Sequence, residues 1–221
     1  MKLEAHWEAV YRDKDLTQVS WYQGRPSLSL SLISRAGLGT NARILDVGAG
    51  TSSLVDHLLD AGHRHLGVLD VSATAIDITR ERLGDRAQHV EWFVSSVAEF
   101  VSPHPWDLWH DRATLHFLTE HDDQAEYRLR LESSVTQGGT VVVSTFGPEG
   151  PERCSGLDVR RYGVDQLVEC IGPEFSLDHH EVVEHTTPGG GVHQFLSCLF
   201  RRTNGAPGTR ACGRRMNPCR R

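Results

Sequence analysis

The chain has 221 residues, enough for one α/β domain with a sizeable core, and a formal net charge of −6. Six arginines and no acidic residue lie between Arg202 and Arg221, so residues 1–201 carry 17 basic and 29 acidic side chains, a net charge of −12. An acidic body disfavours a nucleic acid partner, because phosphate binding depends on clustered lysine and arginine.

Other classes of protein are disfavoured because their sequence signals are missing. The chain has no run of eighteen apolar residues and no signal-peptide core at its N-terminus. We therefore expect a cytoplasmic protein without a membrane partner. Its five cysteines are an odd number and include no Cys-x-x-Cys pair, which favours free thiols and argues against a metal site.

The predicted elements alternate as a parallel sheet requires. Two leading helices, Leu3 to Arg12 and Ser27 to Gly37, are expected to form an N-terminal cap within residues 1–40. Strands are then predicted near 42–47, 65–70, 90–95, 107–111 and 140–146, and helices near 51–61, 72–83, 120–136 and 164–171. Residues 1–201 thus read as a single domain, followed by a basic tail, 202–221, whose composition predicts disorder.

Finer signals mark the second half of the chain. Thr119 and Asp122 are spaced like a helix cap, and Gly138-Gly139 is expected to end the helix near 120–136. The connection 147–163 is predicted to lack regular structure and is a candidate lid. Two β-rich runs, 175–185 and 192–201, are joined by residues 187–191, which predicts a hairpin-like return.

The most specific pattern is a strand that ends in an acid and turns through two glycines. Asp46 lies near the end of the first strand, Gly48 and Gly50 follow, and Asp70 ends the second strand. Glycine lets the backbone turn sharply and approach a ligand, and the carboxylate of Asp70 is placed to accept both ribose hydroxyls. The pattern predicts a site for an adenosine-type cofactor.

Two details distinguish between nucleotides. Ser53 stands where a dinucleotide fingerprint has its third glycine, and Asp46 would repel a diphosphate but attract a cationic ligand. A nicotinamide-dependent dehydrogenase is therefore the poorer interpretation.

Five segments resemble class I S-adenosylmethionine (SAM)-dependent methyltransferases over roughly residues 5–201. The segments are Asp46-Val47-Gly48-Ala49-Gly50, Leu69-Asp70-Val71-Ser72, Ala75-Ile76, Trp106-Asp107-Leu108-Trp109-His110-Asp111-Arg112 and Leu115-His116-Phe117-Leu118. The resemblance implies a doubly wound, mostly parallel seven-stranded sheet with an antiparallel C-terminal strand and helices on both faces. It also implies SAM as the cofactor.

The resemblance further implies which residues bind SAM. They are Asp46, Gly48, Ala49, Gly50, Asp70, Val71, Ser96, Val97, Trp109 and His110. The chain departs from the family after the third strand, where Ser96 replaces the acid that usually accepts from the adenine amino group. Ser96 can accept this hydrogen bond more weakly, or Glu99 can substitute for it.

The candidate catalytic residues follow the fourth strand. His110 and His116 are potential general bases, and Asp111 is placed to orient a histidine. An internal ion pair between Asp111 and Arg112 that fixes the loop is an equally open interpretation.

The acceptor pocket is expected from the variable parts of the chain. Trp21 and Tyr22 lie in a loop, where large aromatic side chains favour a lid or pocket. Arg161 and Tyr162, in the connection 147–163, are candidates to receive an anionic or aromatic acceptor. Trp7 and Tyr11 are expected mainly to seal the first helix onto the body.

These observations predict a SAM-dependent methyltransferase, with a weak preference for a small-molecule acceptor. A protein lysine methyltransferase is the close alternative, since an acidic surface suits a cationic substrate. A SAM-binding protein without catalysis is the second alternative.

Overall fold

The computed structural model describes residues 2–203, so all but the first two residues of the predicted tail lie outside the described part of the chain. The main sheet contains β1 (Arg43–Val47), β2 (His65–Asp70), β3 (Val90–Val94), β4 (Trp106–Arg112), β5 (Val135–Phe146), β8 (Phe175–Thr186) and β9 (Val192–Arg202). Two short strands, β6 (Arg153–Cys154) and β7 (Leu157–Asp158), form a separate hairpin. The helices are α1 (Lys2–Asp13), α2 (Ser27–Arg35), α3 (Leu54–Asp60), α4 (Ala73–Leu83), α5 (His121–Ser134) and α6 (Val164–Ile171).

The strand order is β3–β2–β1–β4–β5–β9–β8. Strands β1 to β5 pair in parallel, and β9 is antiparallel to both of its neighbours. The predicted mostly parallel seven-stranded sheet with an antiparallel C-terminal strand is therefore confirmed.

Helices cover both faces because successive strand residues point to opposite sides. Ile44 belongs to an apolar cluster with side chains of α2, α3 and α4, whereas Leu45 belongs to a cluster with α5 and α6. Val141 and Val142 in β5 repeat this alternation. The strands are thus buried on both sides, which explains why they read as continuous apolar runs.

The helix after β1 begins at Leu54, whereas the sequence predicts a start at Thr51. The residues from Gly48 to Ser53 form the turn instead, and the Ser52 hydroxyl accepts from the Leu54 amide at 3.2 Å.

Two predictions about α5 were wrong. Its N-cap is Glu120, without a side-chain cap, so the spacing of Thr119 and Asp122 does not make one. The helix ends at Ser134, and Gly138-Gly139 lies inside β5, where the pairing with β4 is irregular. Four residues of β5 bulge opposite a single residue of β4 there. This bulge explains why a glycine, Gly138, occupies the position with a φ angle of +75°.

The C-terminal hairpin agrees with its prediction, since β8 and β9 are joined through hydrogen bonds between Thr187 and Gly191. The connection 147–163 is less irregular than predicted, because it contains β6 and β7.

The N-terminal helix is fixed to the body through one carboxylate. Glu8 of α1 accepts hydrogen bonds from the backbone amide and the hydroxyl of Thr74, in the first turn of α4. These bonds lower the pKa of Glu8, and a negative charge near a helix N-terminus is favourable. Residues 14–26 then cross over the carboxyl ends of the strands.

Candidate functional site

A pocket lies where β1, β2 and β4 end, which is the edge of an open α/β sheet where ligands bind. Its walls are the turn after β1, the loop after β3 and the end of β4, and α1 with residues 14–26 lies across them. The structure brings ten of the predicted site residues to this pocket: Trp21, Tyr22, Asp46, Gly48, Ala49, Asp70, Val71, Ser96, Val97 and His110.

The turn after β1 depends on glycine at two positions. Gly48 and Gly50 have φ angles of +59° and +53°, which side-chain-bearing residues rarely adopt. A Cβ on Gly48 would overlap the Thr114 side chain, and one on Gly50 would overlap the Tyr11 hydroxyl. Gly48 lines the pocket, whereas Gly50 lies behind Tyr11 and uses its amide inside the protein.

Asp70 is a buried carboxylate held by backbone amides. Its Oδ2 accepts from the Gly50 amide at 2.7 Å and its Oδ1 from the Ser72 amide at 2.8 Å. Burial raises the pKa of Asp70 to about 6 although these hydrogen bonds oppose the rise. An ionised carboxylate has about four acceptor positions, so each oxygen keeps a lone pair that a ribose hydroxyl can use.

Asp46 is fixed by a histidine from the neighbouring strand. Its Oδ1 lies 2.7 Å from His110 Nδ1, and His110 Nε2 lies 2.9 Å from the Ser29 hydroxyl of α2. All three side chains are buried at the edge of the pocket. Since both ring nitrogens are engaged, this arrangement leaves His110 no free nitrogen for an acceptor proton.

Arg112, which sequence reasoning did not place in the site, also lines the pocket. Its Nη1 donates to the Trp21 carbonyl at 3.1 Å, and its guanidinium carbon lies 5.1 Å from the centre of the Phe195 ring. Its Nη2 is buried and has no hydrogen-bond partner among the described residues. Burial lowers the pKa of Arg112 to about 10, so the side chain stays protonated at neutral pH.

The alternative ion pair between Asp111 and Arg112 does not form, because neighbours on a strand point to opposite faces. Asp111 instead accepts from the Thr114 amide at 2.9 Å and from the Tyr127 hydroxyl at 2.8 Å. Burial raises the pKa of Asp111 to about 6. The side chain lies outside the pocket lining and fixes the loop after β4.

His116 is also outside the pocket lining. Its ring is fully buried and stacks on Phe146 at 4.5 Å, and its Nδ1 lies 3.4 Å from the Phe146 amide. Burial, with the nearby charge of Arg112, lowers the pKa of His116 to about 3. The structure therefore places a neutral imidazole in the core rather than a base at the pocket.

Three further predicted site residues do not reach the pocket. Trp109 points to the α5 face and donates to the Tyr127 hydroxyl at 3.1 Å. Arg161 pairs with Glu152 at 3.0 Å, and Tyr162 is buried in the core. The predictions for Arg161 and Tyr162 relied on the connection 147–163 folding over the site, but these two side chains turn away from it.

Aromatic side chains line the pocket on the side of α1. The Trp7 ring makes edge contacts with Trp21 at 5.6 Å and with Phe117 at 5.2 Å. Tyr22 is 41% exposed at the mouth. Trp7 and Tyr11 are buried, as expected for residues that seal α1, but they also line the pocket.

The loop after β3 contributes Ser96 to the pocket. Its hydroxyl donates to Glu99 at 3.1 Å and accepts from the Glu99 amide at 3.3 Å. Glu99 is exposed and does not line the pocket. The hydroxyl and carboxylate are thus joined in one short turn beside the predicted adenine position.

Among residues 2–203, no group of three or more His, Cys, Asp or Glu side chains is placed to hold a metal ion. Within the same range, no helix is long and apolar enough to cross a membrane.

Comparison with known proteins gives several similarities. Residues 45–141 match the sequence model of a family described as "Methyltransferase domain". A ubiquinone biosynthesis O-methyltransferase from Aromatoleum aromaticum is 30% identical over 142 residues, which are 63% of this chain and 56% of that protein. The eEF1A lysine and N-terminal methyltransferase of Mus musculus is 23% identical over 138 residues, 62% of this chain and 19% of that protein. The chain thus spans just over half the length of the Aromatoleum aromaticum protein and about a fifth of the length of the mouse protein.

A solved structure shares the fold. The N-methyltransferase NodS from Bradyrhizobium japonicum WM9, in complex with S-adenosyl-L-homocysteine (SAH), superposes with a TM-score of 0.68. The alignment covers 89% of this chain and 98% of that one at 17% identity. At this identity the similarity concerns the fold.

Proposed function

We propose that this chain, which contains a methyltransferase domain of the class I SAM-dependent family, transfers the methyl group of SAM to a small molecule. The predicted family and its cofactor, SAM, are confirmed by the family match and by the relatives. The whole protein's activity, its acceptor and a location in the cytoplasm are our proposals.

One observation carries the proposal: the pocket places two carboxylates on either side of a glycine turn. Asp46 and Asp70 come from adjacent strands, and Gly48 lies between them in the chain. Asp70 suits the ribose of any adenosine-type cofactor, but Asp46 would repel a diphosphate and attract a cationic adenosyl cofactor. The residues present therefore fit SAM.

Each wall has a proposed role. Asp70 accepts the ribose hydroxyls, Ser96 and Val97 lie at the adenine, and Asp46 faces the cationic amino acid part. His110 is a positioning residue, since its bonds to Asp46 and Ser29 hold the carboxylate in one orientation.

SAM supplies an electrophilic methyl group on a sulfonium, so the protein's main task is alignment. Trp7, Trp21 and Phe117 exclude water beside the end of β4 and restrict the approach of the acceptor. A base is needed only when the acceptor has to lose a proton before or during attack. The positions of Asp111 and His116 argue against either of them acting directly as that base.

The test is transfer of a labelled methyl group to a cell lysate separated into proteins and small metabolites. The full chain is compared with Asp70→Asn and with Asp77→Asn, which removes an exposed carboxylate of α4 outside the pocket. We expect label in the small-metabolite fraction with the full chain and Asp77→Asn, and little with Asp70→Asn.

Other outcomes separate the alternatives. Label confined to protein would contradict the small-molecule acceptor and favour the lysine methyltransferase, which the similarity to the mouse enzyme supports. SAM binding in calorimetry without transfer to any fraction would favour a non-catalytic SAM-binding protein. Binding of a nicotinamide cofactor without binding of SAM would overturn the proposal.

A further inference from the structure

The pocket continues past the proposed cofactor residues to the end of β4. In the sheet order, β2 and β1 lie on one side of β4, and β5, β9 and β8 lie on the other. Asp70 and the glycine turn belong to the first side. Arg112 meets Phe195 of β9 and the Trp21 carbonyl, so its guanidinium faces the second side.

The Arg112 guanidinium is only partly satisfied. Nη1 has the Trp21 carbonyl, but Nη2 is buried without a partner, and no carboxylate of residues 2–203 forms an ion pair with the side chain. The charge of Asp46 raises the pKa of Arg112, but the Asp46 carboxylate is hydrogen-bonded to His110 instead. The Phe195 ring and the charge of Asp46 compensate the buried guanidinium only in part, so an anionic group that arrives with the ligand would complete its pairing.

The surroundings restrict what that partner can be. A guanidinium presents parallel N–H donors that match a carboxylate, and a buried pair of this kind is strong. Trp21 and Phe117 line the same part of the pocket and offer apolar faces. A cationic lysine side chain would instead be repelled by the Arg112 guanidinium.

We propose that Arg112 binds a carboxylate of the methyl acceptor, and that the acceptor is a compact acid with an apolar or aromatic body. This inference rests on the proposed function, because it assigns the acceptor side of the same pocket. It makes Arg112 a specificity-determining residue and excludes an unmodified lysine as the preferred acceptor.

The test measures selectivity with paired probes in the presence of SAH. Benzoate is compared with benzamide, and indole-3-acetate with indole-3-acetamide, by thermal unfolding and calorimetry at millimolar concentrations. We expect at least one carboxylate to bind about tenfold more tightly than its amide, since only the carboxylate pairs with the guanidinium. In Arg112→Gln, the affinities for the carboxylate probe and for its amide are expected to lie within about twofold of each other, because the glutamine side chain carries no charge.

Two further variants keep the test interpretable. Arg112→Lys retains the positive charge without the parallel N–H donors, and it is expected to show an intermediate preference for the carboxylate over its amide. Arg201→Gln removes an arginine that pairs with Asp178 at the opposite end of the sheet, and it is expected to behave like the unmodified protein.

Several results would overturn the inference: failure of both carboxylates to bind, no preference over the amides, or a preference that survives in Arg112→Gln. A loss of SAH affinity in Arg112→Gln would assign the arginine to the cofactor and also overturn it. Binding of SAM to the unmodified protein is measured first. Its absence defeats the proposed function, whereas its presence without carboxylate selectivity defeats only this inference.

Discussion

At the ends of β1 and β2, backbone amides and glycines shape the pocket, whereas beyond β4 side chains from separate segments do so. We call the first region the cofactor half (Asp46, Gly48 and Asp70, with Gly50 in the same turn) and the second the acceptor half (Trp21, Arg112 and Phe117, with Phe195 against the guanidinium). In the cofactor half, a carboxylate is held by two amides close to it in the fold. In the acceptor half, a guanidinium is held by residues about eighty to ninety positions away.

This difference has consequences for substitution. The cofactor half depends on backbone conformation, so a change there is expected to disturb the turn itself as well as binding. The acceptor half depends on which side chains are present, so a change there alters selectivity.

The largest effect is expected from Gly48→Ala. The new Cβ would overlap Thr114, and a positive φ alone costs a side-chain-bearing residue about 1–2 kcal/mol. We expect the free energy of unfolding to fall by at least about 2 kcal/mol more than in Gly62→Ala, with loss of SAH binding. Chemical denaturation and calorimetry measure both quantities.

Gly62→Ala is the matched control for that experiment. Gly62 has a φ of +87°, but its Cβ would lie 3.8 Å from Thr40, an ordinary contact distance. Equal losses in the two variants would show that backbone strain alone, and not the close approach of Thr114, explains the need for Gly48.

A smaller effect is expected from Asp70→Asn. Loss of a charged acceptor for two hydroxyls is expected to weaken SAH binding about 10- to 100-fold at pH 7.5. Because the pKa of Asp70 is raised to about 6, lowering the pH through 6 protonates the carboxyl of the ligand-free protein and weakens binding in the same way. The affinity of Asp70→Asn is expected to vary much less with pH.

Protonation of Asp70 also changes the folding stability of the protein. A carboxyl with a raised pKa binds its proton more tightly in the folded state, so its contribution to folding stability increases as the pH falls through 6 towards its usual value. Calorimetric titrations and melting curves from pH 5 to 8 measure both trends. An affinity that rises on acidification would contradict the assignment of Asp70 to the ribose.

The cofactor half could be predicted from the sequence because its signals are local. Asp46, the two glycines and Asp70 lie at strand ends that apolar runs identify, and the structure brings all but Gly50 to the pocket lining. The error at α3 was one of length, since the turn takes three more residues than predicted.

The acceptor half could not be predicted because it depends on which face of a strand each side chain occupies. Reading Asp111 and Arg112 as neighbours suggested an ion pair, but the alternation of β4 separates them. The same alternation places Arg112 on the face of His110, two residues earlier, and this spacing was the available signal. Nothing local indicated that Tyr162 turns into the core or that Tyr127 of α5 satisfies Asp111.

The smallest effect concerns His116, which borders the acceptor half. With its pKa lowered to about 3, the imidazole is neutral in the folded protein, whereas the unfolded chain takes up a proton below about pH 6.5. At pH 5 this difference costs the folded state about 2 kcal/mol relative to pH 7, and it is a stability lost as the pH falls. Asp70 and Asp111 act in the opposite direction.

His116→Phe therefore isolates the contribution of His116 titration to the pH dependence of folding stability. Phenylalanine fits the stacking position on Phe146 but cannot titrate, so stability is expected to fall less between pH 7 and 5 than in the unmodified protein, by up to about 2 kcal/mol. The hydrogen bond from the Phe146 amide is also lost, which shifts stability at every pH, so the slope with pH is the quantity to compare. Parallel slopes would mean that the folded protein accommodates a protonated His116, and that the region around Arg112 tolerates a second positive charge. Such tolerance would weaken the case that Arg112 awaits an anionic partner.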